Sequence, residues 1–216
     1  GKGTKSKPVP VGVGYTMNVS TADGSRPEAV KQLTEAWEGV RSYGKYFPKC
    51  TAAQIAAAQS DKVCPKGSLV GTGKVHSLVA PLNDFSTQGA TCDRDTHTYN
   101  AGQNKVTVIF TGPGDKCLGT AYTSPFSGKW SDTGGIGGGQ ATITIPPREQ
   151  TYPVPGVLVS TTQLSFTFPK RVITVKGKKV SYLMSVGCKG KRSAKLIYQG
   201  QPKPETHTIT ASAGSC

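Results

Sequence analysis

Acidic residues are scarce in this sequence, and one long stretch has none. The 216 residues include 12 Asp and Glu against 26 Lys and Arg, so the formal net charge is +14 at pH 7. No acidic residue occurs between Glu149 and Glu205, a window that holds ten basic residues. This excess indicates either a polyanionic partner or a surface that resists aggregation. It leaves few candidates for the paired carboxylates of glycoside hydrolases.

Long apolar runs are also missing. No run of about 18 apolar residues occurs, so no transmembrane helix is predicted. The opening residues GKGTKSKPVP have no apolar stretch behind their lysines and predict no secretion signal, which leaves the compartment open. Apolar residues make up 35% of the chain, with 27 Gly and 15 Pro, a mixture typical of many short strands joined by turns.

The motifs of common enzymes and cofactor sites are absent as well. The sequence contains no C-x-x-C or H-E-x-x-H metal pattern and no G-x-S-x-G nucleophile elbow. Gly73-Lys74 lacks the Ser or Thr that follows the lysine of a phosphate loop. We therefore predict no metal, no cofactor and no catalytic residue, while a serine triad assembled in space stays open.

One short segment could still bind a cation. Asp93, Asp95 and His97 stand at alternate positions, so a strand would place all three on one face, where carboxylate and imidazole can coordinate a metal. The competing interpretation is a solvated strand edge or turn beside the predicted disulfide of Cys92, and we favour it because no further ligand pattern completes the site.

Six widely spaced cysteines predict disulfides and therefore an oxidising, extracellular or cell-wall compartment. Six cysteines allow 15 pairings. We prefer the sequential pairing, which is Cys50–Cys64, Cys92–Cys117 and Cys188–Cys216.

The chain predicts an all-β fold with one short helix. The run TAAQIAAAQS after Cys50 favours a helix that Thr51 can cap, and the first predicted disulfide would clip it in place. The residues from Val30 to Val40 fit either a helix or a strand, and 131–139 predict a loop. We expect a flexible basic tail at 1–8 and one antiparallel β-sandwich, jelly-roll or Ig-like, at 9–216, with two packed β subdomains as the alternative. The later predicted strands are Ser68–Val79, Thr96–Asn100, Lys105–Thr111, Gln140–Ile145, Gln163–Phe168, Val172–Val175, Lys179–Val186, Ser193–Tyr198 and Thr206–Thr210.

The basic final third is the strongest functional signal. Its cations alternate with apolar and aromatic residues, so strands would present a cationic face to an acidic polymer. The competing interpretation is that the lysines protect strand edges from aggregation. Nucleic acid would also be attracted, but no aromatic stacking motif supports it. The predicted polyanion-binding residues are Lys170, Arg171, Lys176, Lys178, Lys179, Lys189, Lys191, Arg192 and Lys195.

A set of short motifs resembles a known group of proteins. The pattern F-P-x-C followed by C-P-x-G-S-x-V-G-x-G is similar to that of secreted actinobacterial proteins of unknown function. The resemblance implies export and a disulfide-bonded β fold, and it assigns no activity. The matching residues are Phe47, Pro48, Cys50, Cys64, Pro65, Gly67, Ser68, Val70, Gly71 and Gly73.

Together these features predict a secreted, non-enzymatic structural or adhesive protein of the cell surface. Its expected partner is an acidic wall polymer or another protein, and self-assembly through strand edges is a further expectation. Two other classes stay open: an extracellular hydrolase acting on a polymer, and a carrier of a small ligand. Trp37 and Trp130 could form a sugar platform, but we expect both in the core.

Overall fold

The computed structural model describes residues 3–112, 124–134, 136–151, 155–201 and 205–215. Within these residues the chain is mostly antiparallel strand, with the short helices α1 (Ala52–Ala58) and α2 (Pro147–Thr151). The predicted all-β class is confirmed. The strands are β1 (Val9–Pro10), β2 (Val13–Asn18), β3 (Ala29–Glu38), β4 (Val40–Ser42), β5 (Leu69–Pro81), β6 (Ala90–Gly102), β7 (Lys105–Thr111), β8 (Ser124–Gly134), β9 (Gly138–Thr144), β10 (Val157–Phe168), β11 (Val172–Val175), β12 (Lys178–Ser181), β13 (Leu183–Ser185), β14 (Lys191–Gln201) and β15 (Thr206–Ser215).

Ten of the strands form one antiparallel sheet in the order β15-β14-β3-β9-β8-β7-β6-β5-β10-β2. The sheet folds over so that its two halves face each other. The indole of Trp37 on β3 meets the ring of Phe168 on β10 edge to face, with centroids 6.0 Å apart. The hydroxyl of Tyr15 on β2 donates a hydrogen bond to Glu35, also on β3. The apolar core therefore lies between the two halves, as in a sandwich.

The ambiguous segment around Trp37 is a central strand. β3 pairs with β14 on one side and with β9 on the other. Leu33, Glu35 and Trp37 all point into the core, which is the period-two spacing of a strand. Trp37 and Trp130 are both buried and stack at 6.0 Å, so the core interpretation of the two tryptophans is confirmed.

The predicted loop at 131–139 was wrong. Strand β8 continues to Gly134 and β9 begins at Gly138. The sequence did not predict this strand pair, because its glycines have no side chains to form an alternating apolar pattern. Gly139 has a packing reason: a Cβ there would collide with the indole of Trp130.

Two smaller sheets complete the body. One has the order β1-β13-β4, and the other is the hairpin of β11 and β12. The predicted strand Lys179–Val186 is split at Tyr182 between these two sheets. The hairpin turn between β11 and β12 has Lys176 and Gly177 at positive φ (48° and 74°).

The helical corner matches its prediction. Thr51 accepts a hydrogen bond from the backbone of Gln54 in a capping box, and Ile55 is fully buried. Cys50 and Cys64 form a disulfide. Cys92 and Cys188 are also disulfide-bonded, whereas their predicted partners, Cys117 and Cys216, lie outside the described residues.

Among the residues described, no helix is long and apolar enough to cross a membrane.

Removing the Cys50–Cys64 bond tests how strongly it holds this corner. The double change Cys50→Ala with Cys64→Ala is expected to lower the free energy of unfolding by about 3 kcal/mol, because the unfolded chain gains loop freedom. Urea unfolding under non-reducing conditions measures the difference. Thr51→Ala, which removes the helix cap, is the milder comparison and should cost about 1 kcal/mol. An unchanged midpoint in the double variant would show that the bond does not stabilise the fold.

Candidate functional site

Five of the predicted cations lie together on the hairpin of β11 and β12 and the residues leading into it. This segment, 170–179, is called the cationic hairpin below. All five side chains are exposed. The guanidinium of Arg171 also donates to the carbonyl of Leu69 at 3.3 Å, which holds the start of the hairpin against β5. The five cations are Lys170, Arg171, Lys176, Lys178 and Lys179.

The sequence of the hairpin explains why its cations face outward. Ile173 and Val175 pack against the main core, and Ile173 lies directly opposite the buried Val180. The other face presents Thr174 opposite Lys179. Because side chains alternate across a strand, anchoring Ile173 and Val175 leaves Lys179 on the outer face. Lys176 is in the turn, and Lys178, opposite Val175, is exposed beside the turn.

The hairpin cations are not neutralised by neighbouring acids. The ion pairs found within the described residues involve none of the five. No acidic residue occurs in the sequence from 150 to 204, so the chain itself offers no nearby carboxylate along this stretch. The hairpin is therefore a local patch of positive charge that can bind an external anion.

The other four predicted cations do not lie on the hairpin. Lys189 and Lys191 are exposed at the entry to β14, and Lys195 is half-buried further along that strand. Arg192 is buried, which the alternation of cationic and apolar residues did not indicate. Its guanidinium donates to the carbonyl of Glu38 and, at 2.7 Å, to the hydroxyl of Ser185. Arg192 thus connects β3, β13 and β14 and is not available to a surface ligand.

Asp93, Asp95 and His97 share one face of β6, as the alternate spacing predicts. The favoured interpretation as a strand edge or turn was wrong, because β6 pairs with β5 on one side and β7 on the other. The Nδ1 atom of His76 on β5 lies 3.0 Å from the carboxylate of Asp93. The Nδ1 atom of His97 lies 2.8 Å from the carboxylate of Asp61. In the part of the chain that the structure describes, no three His, Cys, Asp or Glu side chains come together as a metal site. Asp93 and His97 therefore belong to two separate histidine–aspartate pairs.

A buried ion pair closes one end of the core. Arg94 on β6 and Glu149 on α2 lie 3.5 Å apart, and the guanidinium of Arg94 covers the ring of Phe110. The adjacent internal cavity is about 40 Å³. That is room for a few waters, whereas ligand pockets measure roughly 300–1,000 Å³. The cavity is thus too small for the ligand of a carrier protein.

An open groove separates the two ends of the ten-stranded sheet. Within the described residues, β2 pairs with β10 alone and β15 with β14 alone, so one edge of each strand is unpaired. The groove between them, called the seam groove below, consists of two contiguous clefts of about 660 Å³ and about 1210 Å³. Both clefts are bounded by Met17, Asn18 and Ile209.

A buried carboxyl lies close to the seam groove. Glu35 is fully buried, and its Oε2 atom has no hydrogen-bond partner among the described residues. Burial raises the pKa of Glu35 to about 7, although the hydrogen bond from Tyr15 opposes the shift. Burial and the neighbouring Glu35 raise the pKa of the Tyr15 phenol well above its usual value. Sequence reasoning missed this pair because Tyr15 and Glu35 are brought together only when the sheet folds over.

Comparisons with protein-family models, with curated proteins and with solved structures find no match to this chain. The fold and surface define a disulfide-bonded, all-β protein with an exposed cationic hairpin and an open seam groove.

The stability of the protein should depend on the protonation of Glu35. The folded state holds the Glu35 proton up to a pKa of about 7, whereas the unfolded carboxyl releases it near 4.5. The contribution of Glu35 to the free energy of unfolding is therefore fully present below about pH 4.5. It falls by roughly 3 kcal/mol as the pH rises to 7. Glu35→Gln cannot lose a proton, so it should gain stability relative to the wild type between pH 5 and pH 8.

Urea unfolding of both proteins at pH 5 and pH 8 measures this gain. Glu38→Gln is the control, because the pKa of Glu38 is shifted in the opposite direction to that of Glu35. Backbone N–H groups of Ser193 and Lys189 lower the pKa of Glu38, so that substitution should cost more at pH 8 than at low pH. An equal effect of Glu35→Gln at both pH values would show that Glu35 is not protonated in the folded protein.

Proposed function

We propose that this protein is a secreted, non-enzymatic component of a bacterial cell surface that binds an acidic polymer through its cationic hairpin. The observation that carries the proposal is the cluster of five exposed cations on a firmly packed hairpin, without an ion-pair partner among the described residues. The partner is a phosphate-rich or carboxylate-rich chain. Binding another protein and self-assembly are further parts of the proposed role.

The chemistry of the cations suits a repeating anion. Four of the five are lysines, whose ammonium group is a mobile point charge that tolerates many geometries. Arginine, in contrast, favours a fixed fork on one carboxylate or phosphate. A lysine-rich surface therefore matches a flexible polymer with many similar charges better than one small anionic ligand.

Export is supported by two kinds of observation. Disulfides are typical of oxidising compartments, and Cys50, Cys64, Cys92 and Cys188 are all disulfide-bonded. The resemblance of the F-P-x-C and C-P-x-G-S-x-V-G-x-G motifs to secreted proteins points in the same direction. These observations support the compartment and do not identify the polymer.

An extracellular hydrolase acting on such a polymer is the second candidate. It is favoured by the two histidine–aspartate pairs, since a histidine oriented by a carboxylate can act as a general base. Both pairs lie on the outer face of the sheet, and their side chains are between 25% and 44% exposed. They line neither the internal cavity nor the seam groove. Binding therefore ranks first.

Titration with defined polyanions tests the proposal. The triple variant Lys176→Gln, Lys178→Gln, Lys179→Gln is expected to bind polyphosphate and polyglutamate about tenfold more weakly than the wild type at low salt. The dependence of affinity on salt should also become shallower, because fewer counterions are released. Fluorescence anisotropy of labelled polymer between 50 and roughly 200 mM salt measures both effects.

The matched control changes three lysines around the disulfide corner, Lys49→Gln, Lys62→Gln and Lys66→Gln, all of which are exposed. The control and the hairpin variant each lose three positive charges. An equal loss of affinity in both would show that binding depends on total charge, and it would contradict a site on the hairpin. Polymer length after incubation separates the two candidates, because a hydrolase shortens the chain and a binding protein does not.

A further inference from the structure

The sides of the seam groove are formed by strand edges, and its floor is formed by a sheet face. Every residue from Val11 to Asn18 lines it, and so does every residue from Thr206 to Ile209. A sheet face contributes alternate residues to a cavity, because successive side chains point to opposite sides. Consecutive residues line a cavity when the backbone edge itself faces it. The unpaired N–H and C=O groups of β2 and β15 therefore border this groove.

Over the residues that line the groove, neither edge carries the usual protection against strand pairing. Proteins place lysine, proline or a bulge on a free edge to prevent another strand from adding to it. In a chain with 26 Lys and Arg and 15 Pro, neither β2 nor β15 contains lysine, arginine or proline. The pairing of β15 with β14 shifts register between Ala213 and Ser215, which lies beyond the residues of β15 that line the groove. Ile209, at the middle of β15, is 45% exposed. Both edges are therefore open to an added strand.

The floor of the groove is apolar. Trp37 on β3 and Ala194 and Leu196 on β14 line it between the two edges. Leu196 lies directly opposite Ile209, so the two side chains continue one apolar row. An extended segment in the groove could hydrogen-bond an edge with its backbone and place every second side chain on this row.

One end of the groove is acidic, although the whole chain is strongly basic. Asp23, Glu28 and Glu205 line that end. The arginines that line the groove among the described residues are Arg26 and Arg192, and both are buried and donate to backbone carbonyls. His207 also lines the acidic end, where its Nε2 atom lies 3.6 Å from Glu205. The local charge is thus complementary to a cationic end of a bound segment.

We infer that the seam groove accepts an extended polypeptide segment of a partner as an added strand, with apolar residues at alternate positions and a cationic end at Asp23 and Glu205. Edge groups on both sides of the groove recognise a peptide backbone, which a polysaccharide lacks. This inference deepens the protein-partner part of the proposed function, and it does not depend on polymer binding by the cationic hairpin.

Binding of a labelled synthetic peptide tests the inference in the absence of any polymer. The peptide KKTVTVTVT alternates Thr and Val behind two lysines. Its affinity for the wild-type protein, measured by fluorescence anisotropy at physiological salt, is expected to exceed that of EETVTVTVT by about tenfold. N-methylation of alternate peptide bonds removes backbone donors along one edge and should lower the affinity by at least about tenfold.

Two protein variants locate the peptide. Ile209→Lys places a charge on the open edge and is expected to reduce binding by about tenfold or more. Val172→Lys is the matched control, since Val172 is 43% exposed but lies on the cationic hairpin. It should leave the affinity for the peptide unchanged. Asp23→Lys with Glu205→Lys should abolish the preference for KKTVTVTVT over EETVTVTVT.

Several outcomes would overturn the inference: no saturable binding at about millimolar peptide, equal binding of the N-methylated peptide, or equal effects of Ile209→Lys and Val172→Lys. Self-association of the protein alone that Ile209→Lys abolishes would assign the groove to a second copy of the chain instead. The hairpin triple variant separates this inference from the proposed function. This variant should bind the peptide as tightly as the wild type does. Unchanged polymer binding by the same variant would contradict the proposed hairpin site and would leave the inference about the seam groove untouched.

Discussion

The structure depends on the burial of one face of a long antiparallel sheet against itself. A ten-stranded sheet with one apolar face must cover that face, and this chain does so by folding the sheet over. Trp37 lies at the centre of the arrangement, because it stacks on Trp130 in its own half and meets Phe168 of the other half. Such aromatic contacts bury a large apolar area and fix the distance between the halves.

Folding the sheet over has two consequences for the ends of the sheet. The terminal strands β2 and β15 face each other across the seam groove without pairing within the described residues, so backbone groups there lack strand partners. The interior near this seam also contains a carboxyl, Glu35, which the phenol of Tyr15 contacts across the core. A polar pair at this point ties β2 to β3 where the backbone does not. The seam is thus where the fold is least complete and where a partner has most to contribute.

Local features of the sequence predicted the local structure well. The alanine-rich run gave the helix that Thr51 caps, and Cys50 and Cys64 pair as the preferred bonding scheme requires. The alternating segments gave most strands, including the cationic hairpin. The β8–β9 pair was missed because glycines around Gly139 have no side-chain pattern, although they make room for Trp130.

Long-range features could not be predicted from the sequence. Arg192 is buried because its guanidinium donates to Glu38 and Ser185. Glu38 is far from Arg192 in the sequence, and Ser185 is not at a spacing that a strand pattern would connect to it. The Tyr15–Glu35 contact and the seam groove exist only once the sheet order is known. Sequence reasoning therefore identified the cationic hairpin as a candidate site but gave no indication of the groove.

The most direct test of the central claim is a hydrogen-exchange comparison of the protein with and without polyphosphate. If the cationic hairpin is the binding site, polymer should slow exchange of the backbone amides in 170–179 and leave the outer face of β5 and β6 unchanged. Protection confined to β5 and β6, around His76 and His97, would contradict the account and favour a catalytic site there.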